Sequence, residues 1–120
     1  MVDTDNQPGI LIVDDERSVR RVLSTALVDD YSVFTARNAK DALDTVRHGG
    51  MSVVLMDILL PDADGVSLLQ KLKRMDPTLV VIMVTAVKDI QTAVRAIKSG
   101  AYEYLLKPFV VDEVRKVIHR

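Results

Sequence analysis

The chain has 120 residues, 48% of them hydrophobic and 28% charged, and its 16 basic and 17 acidic side chains leave a formal net charge of −1. That is the make-up of one globular domain able to bury its own core, so long disorder is excluded, and the balanced charge argues against nucleic-acid binding through a general basic field. Cysteine is absent, which excludes disulfides, thiol chemistry and Cys-based zinc, and two histidines are too few for a His-rich metal site.

Residues 1–8 contain two acids and no apolar stretch, so they read as a flexible N-terminal segment and not as a secretory signal. The longest apolar run, Leu79 to Val84, falls far short of the ~20 residues that span a bilayer. A soluble, cytoplasmic chain with no membrane contact is expected, with one domain over 9–120.

From Gly9 onward, strand and helix patterns alternate. Ile10 to Val13 is a short apolar run ending at Asp14 and Asp15, as a strand buried on both faces would. Val19, Val22, Leu23, Ala26 and Leu27 form a helical stripe. Tyr31 to Ala36 is β-branched and aromatic, a second strand. Asn38 suits the cap of a second helix, with Asp41 in its first turn and Gly49 and Gly50 closing it. Val53 to Met56 is a third strand, ending at Asp57.

The turn residues from Leu60 to Gly65 precede a third helix, started by Asp64 and Gly65 and ended near Asp76 and Pro77. Leu79 to Val84 is a fourth strand, stopping at Thr85. Ile90, Ala93, Val94 and Ile97 mark a fourth helix, ended by Gly100. Tyr102 to Leu106 is a fifth strand, closing at Lys107 and Pro108, and Val110, Val114, Val117 and Ile118 begin a fifth helix that meets no stop signal before Arg120. That helix is expected to be truncated or to continue into a linker.

Five βα units in succession predict a doubly wound α/β fold, a five-stranded parallel sheet with helices on both faces. The flavodoxin-like order 2-1-3-4-5 is expected for it, since that order puts the second strand, which ends in nothing chemical, at an edge. Ligands of such sheets bind at the carboxyl ends of the strands. Those ends carry Asp14 and Asp15, Asp57, Thr85 and Lys107, while the second strand, at the sheet edge, delivers nothing chemical. Three carboxylates on one rim repel by about 4 kcal/mol per pair at 4 Å and an effective dielectric near 20. Lys107 offsets one charge, and an all-oxygen ligand set with no His or Cys points to Mg²⁺ for the rest. A carboxylate beside such a metal is a nucleophile for phosphoryl transfer, with a lysine and a hydroxyl to meet the phosphoryl oxygens.

These residues resemble a known family. Asp14-Asp15 after the first strand, Asp57 followed by Leu60-Pro61 and Asp64-Gly65, Thr85-Ala86, and Gly100 to Phe109 with Lys107-Pro108 look like a response-regulator receiver domain over about residues 9–120. The resemblance implies that Asp57 accepts a phosphoryl group from the phosphohistidine of a sensor histidine kinase. It implies that Asp14, Asp15, Asp57 and the backbone carbonyl of Leu59 handle Mg²⁺, that Lys107 contacts the phosphoryl group, and that Thr85 closes over it. Tyr104 would turn inward as the switch, remodelling the surface of the fourth helix, fifth strand and fifth helix, where partners or a second protomer dock. Such a chain is a phosphorylatable signalling domain and not an enzyme in its own right; it assists its own phosphorylation and slow dephosphorylation. The stretch from Asp89 to Phe109 is most similar to receivers of the nitrogen-regulation type, which precede an ATPase and a DNA-binding output domain. An output domain outside this chain, controlling transcription, is therefore expected.

Leu59 and Val87 are apolar where fast-hydrolysing members place polar groups, so slow self-dephosphorylation is expected. Taken singly, each site residue has a plainer reading: Asp15 as the cap of the first helix, Asp57 as a loop cap, Thr85 as a strand-end hydroxyl, Lys107 as a solvated lysine. Arg17, Arg20 and Arg21 read as a solvated helix face, Asp62 as a turn residue, His48 as a helix-end or water-bonded group, and His119 as exposed. A flavodoxin-type cofactor binder would need a phosphate loop where Asp14 and Asp15 stand. A haloacid-dehalogenase-type phosphatase would need a second acid at Leu59, and a receiver-like scaffold that is never phosphorylated would have lost one of the set.

Overall fold

The computed structural model describes residues 7–118. Most of the flexible segment expected over 1–8, and His119 with it, lie outside the described residues. Pro8 O accepts from Ser32 N, and Gln7 Nε2 donates to Asp29 O.

The elements alternate as expected: β1 (Gly9–Val13), α1 (Arg17–Leu27), β2 (Ser32–Ala36), α2 (Ala39–Arg47), β3 (Met51–Asp57), α3 (Gly65–Met75), β4 (Val80–Ala86), α4 (Ile90–Lys98), β5 (Glu103–Lys107) and α5 (Val111–Ile118). A 3₁₀ turn over Val87–Asp89 leads into α4. The strands form one parallel sheet in the order β2-β1-β3-β4-β5. None of the helices described is long and apolar enough to cross a membrane.

The pleat divides each central strand between two cores. Leu11 and Val13 of β1, Val54 and Met56 of β3, and Val81 and Met83 of β4 meet Ala42 and Val46 of α2, the leucines of α3, and Ala93 and Ala96 of α4. The alternate residues Ile10, Ile12, Leu55, Ile82 and Leu105 meet Leu23 and Leu27 of α1 and Val114 and Val117 of α5. Arg115 of α5 also donates through Nε and Nη2 to Ala26 O, tying the C-terminal helix to the end of α1.

Strand ends differ from the sequence reading by one or two residues. β3 begins at Met51 and takes in Asp57 because Asp57 still pairs with Val84. β4 runs to Ala86 and β5 to Lys107 because Ala86 pairs with Lys107. Pro108, without an amide hydrogen, stops the ladder there, after a cis Lys107–Pro108 peptide. The helix starts at Asn38 and Asp64 are as expected: Asn38 accepts from Asp41 N, and Asp64 from Val66 N.

Candidate functional site

Every strand end except that of β2 delivers its polar residue to one rim, and the pleat then sorts them. Asp14, Asp57 and Lys107 follow Ile12, Leu55 and Leu105 by two, so they share the α1/α5 side of the sheet. Thr85 and Tyr104 have the other parity; Tyr104 is half-buried against the α2–α4 core and pairs with Met83, two residues before Thr85.

Lys107 joins the acids. Its Nζ donates to Asp57 Oδ2 at 3.0 Å and to Asp14 Oδ2 at 3.2 Å. Asp15 is exposed beside them, and one carboxylate oxygen from each of Asp14, Asp15 and Asp57 falls within 4.8 Å of the others. Three carboxylates and one ammonium leave the pocket with a formal charge of −2. Asp14 is only 2% exposed. Burial pushes its carboxyl above the ordinary 3.8, against the lowering effects of Glu16 N and the Lys107 charge. For Lys107, burial pulls the ammonium down, but the hydrogen bond and charge of Asp57, then Asp14, outweigh it and hold the pKa above 10.5. The lysine therefore stays cationic at any physiological pH. A hard, oxygen-only cluster with uncompensated negative charge suits Mg²⁺.

The remaining hydrogen bonds pin the two acidic loops. Asp14 Oδ1 accepts from Glu16 N at 2.9 Å, and Arg20 Nη1 donates to Asp14 O at 2.7 Å. Asp57 Oδ1 accepts from Leu59 N at 3.0 Å, and Leu59 bridges Asp64 across the turn. Gly65 N donates to Ile58 O at 2.8 Å, an approach so close that only glycine fits: a Cβ would lie 2.6 Å from that oxygen and 2.7 Å from Ile58 Cα. Thr85 is buried, and its hydroxyl donates to Ala86 O at 3.2 Å, the strand-end bond of its plainer reading.

Several plain readings are corrected. Asp15 does not cap α1; Glu16 holds that position without a side-chain bond. Lys107 is not a solvated lysine but bridges two acids, and Arg20 is not merely solvated but reaches back to Asp14 O, just past β1. His48, by contrast, is the helix-end group expected: its Nδ1 lies 2.7 Å from Asp44 O, one turn back on its own helix. Asp62 is more than a turn residue: its Oδ1 accepts from Ala39 N at 2.8 Å and its Oδ2 from Lys40 N at 3.1 Å, capping α2 from another loop. No local pattern marks that role, because the partners lie 22 and 23 residues away.

Residues 10–119 match the family model described as the response regulator receiver domain. The regulatory protein AtoC of Escherichia coli (strain K12) is 40% identical over 112 residues, covering 92% of this chain and 24% of that protein. The DNA-binding transcriptional regulator NtrC of Proteus hauseri is 41% identical over 113 residues, covering 93% of this chain and 24% of that protein. The chain thus spans about a quarter of the length of these relatives, and the likeness to NtrC agrees with the nitrogen-regulation-type resemblance. The crystal structure of the receiver domain of NtrX from Brucella abortus superposes with a TM-score of 0.88 at 37% identity, over 92% of this chain and 95% of that one. With the family pattern running through nearly every described residue, the chain belongs to the response regulator receiver domain family.

Proposed function

We propose that this chain is the phosphoacceptor of a two-component signalling system, in which Asp57 takes the phosphoryl group of a phosphohistidine on a sensor histidine kinase. The observation that carries the reading is Lys107 Nζ held between Asp57 and Asp14 with Asp15 alongside. A carboxylate oxygen of Asp57 attacks phosphorus; the O–P bond forms as the N–P bond breaks, and the imidazole nitrogen keeps the electron pair. Asp14, Asp15, Asp57 and the Leu59 carbonyl would hold Mg²⁺, which when bound neutralises charge on the phosphoryl oxygens. Lys107, 3.0 Å from the nucleophile's carboxylate, meets the same oxygens from the protein side.

Phosphorylation adds a charge of about −1.5 to −2 and strong acceptor oxygens. The Thr85 hydroxyl exchanges its bond to Ala86 O for one to the phosphoryl group. Tyr104, on the same side of the sheet and one strand away, follows into the space released. This biases an existing two-state equilibrium at the α4–β5–α5 surface, where Val94, Ile97 and Leu106 are exposed apolar side chains. That surface passes the signal to an output domain controlling transcription, or to a second protomer. The chain assists its own phosphorylation and has no separate substrate to turn over. Incubation with a small-molecule phosphodonor and Mg²⁺, followed by intact mass, tests it: one added phosphate on the wild type and none on Asp57→Ala supports the reading, and no phosphate on the wild type overturns it.

A further inference from the structure

The loop between β3 and α3 follows directly on Asp57 and carries Leu59. Internally it is closed by the bonds from Leu59 N to Asp57 and from Gly65 N to Ile58 O. Leu60 and Ala63 seat it against the α2–α4 core, a contact that sets its depth but not its direction. Direction comes from Asp62. Its two oxygens take the amides of Ala39 and Lys40 separately, at 2.8 and 3.1 Å, so the carboxylate is held at two points on another element. The next amide, Asp41 N, belongs to Asn38 at 2.8 Å, a cap internal to the helix start. The two caps therefore stabilise the same helix end, but only that of Asp62 binds the helix to the metal-bearing loop. The hydrogen bond from Ala39, followed by that from Lys40, holds the Asp62 carboxyl below the ordinary 3.8, so the charged acceptor is the form present near neutrality.

We propose that Asp62 is a positioning residue for the metal site, its carboxylate locked to Ala39 N and Lys40 N so that the 57–64 loop presents Asp57 and the Leu59 carbonyl to Mg²⁺ together with Asp14 and Asp15. The inference rests on the reading of that cluster as the Mg²⁺ site. Groups that orient a metal's direct ligands typically matter by about 10–100-fold in affinity. The coupling is reciprocal, so Mg²⁺ must also tighten the Asp62 bonds and slow the exchange of the two amides they hold.

Because the chain has no tryptophan, Mg²⁺ binding is measured by calorimetry and by NMR titration. The wild type is compared with Asp62→Ala, with Asp62→Asn, which retains one acceptor oxygen, and with Asn38→Ala, which loosens the same helix end without touching the loop. Asp62→Ala is expected to raise the Mg²⁺ Kd about tenfold, Asp62→Asn less, and Asn38→Ala by less than about twofold. In the wild type, Mg²⁺ is expected to slow hydrogen exchange at Ala39 and Lys40. An unchanged Kd in a folded Asp62→Ala or Asp62→Asn variant overturns the inference alone, as does equal weakening by Asn38→Ala. Failure of the wild type to bind Mg²⁺ at Asp14, Asp15 and Asp57 overturns the proposed function and this inference with it.

Discussion

Lys107 reaches Asp57 across an intervening strand, Nζ to Oδ2 at 3.0 Å, and stands at the point where the acidic charges converge. An ammonium there does two opposed things: it relieves the repulsion that a cation would otherwise relieve, and in the proposed reaction it would hold positive charge where phosphoryl oxygens arrive. Replacing it separates the two effects.

Lys107→Met takes the pocket from a formal −2 to −3 while keeping the apolar stem. Mg²⁺ affinity is expected to rise by about tenfold, a fraction of the roughly 4 kcal/mol that two unit charges exchange at 4 Å and a dielectric near 20, because the site is partly open to water. Phosphorylation by a small phosphodonor at saturating Mg²⁺ is expected to slow by about 100-fold. Calorimetry and an intact-mass time course measure the two separately. Weaker Mg²⁺ binding in the variant would show that Lys107 supports the metal instead of competing with it.

Gly65→Ala tests the close approach beneath the acidic loop. The added methyl would meet Ile58 O at 2.6 Å and Ile58 Cα at 2.7 Å, both main-chain atoms that cannot rotate away. The loop must shift outward, at a cost of about 1–3 kcal/mol. A urea denaturation midpoint that falls accordingly, with an unchanged slope, is the expected result; an unchanged midpoint would mean that the turn yields freely.

Asp14, Asp57 and Lys107 were legible in the sequence because each directly follows or closes an apolar run, and a doubly wound sheet sends all such ends to one rim. The parallel sheet followed from the alternation, and its order from the flavodoxin-like pattern that puts the chemically silent second strand at an edge. With right-handed crossovers that order also puts α1 on one face and α2, α3 and α4 on the other, because only the β1-to-β2 step runs the opposite way; the face of α5, which makes no crossover, was not legible, since every central strand is apolar on both faces. Errors gathered at strand ends, where pairing with a neighbour decides: Asp57 and Lys107 count as strand only because Val84 and Ala86 pair with them. Bonds from a side chain to a distant main chain were invisible. Asp62 on Ala39 and Lys40, Arg20 on Asp14 O and Arg115 on Ala26 O leave no periodicity or local motif to read.

Two carboxyls, the exposed Asp62 and the half-buried Asp76, shape the acid limb of stability. Asp62 is held below 3.8 by the amides of Ala39 and Lys40, and Asp76 by the hydroxyl and amide of Thr78, at 2.6 and 3.0 Å. A carboxyl whose folded pKa is depressed adds stability that is complete above its unfolded value and lost as the pH falls through the folded one. The wild-type Tm is therefore expected to drop from pH 4 downward. In an Asp62→Asn, Asp76→Asn double variant, Tm starts lower at pH 6 and falls less steeply below pH 4. Parallel Tm curves for the two proteins would contradict these bonds.

Hydrolysis of a phosphorylated Asp57 needs a water aligned with the O–P bond, and the residue two places on is the nearest side chain along the chain that extends into solvent. That residue is Leu59, 58% exposed and without a polar atom, its amide already committed to Asp57 Oδ1. Val87, two after Thr85 at the start of the 3₁₀ turn, is also apolar; its side chain lies outside the described residues. Neither can hold a water by hydrogen bonding, so the phosphorylated form is expected to decay slowly. Leu59→Asn with Val87→Glu supplies an amide that donates and accepts and a carboxylate that accepts, and is expected to shorten the half-life by at least about tenfold. Because Leu59 is exposed, its replacement alters stability by only about 0.5 kcal/mol, so faster decay would not reflect unfolding. A half-life unchanged by both substitutions would place the control of hydrolysis elsewhere, with Lys107 and Thr85 as the groups left to shield the acyl phosphate.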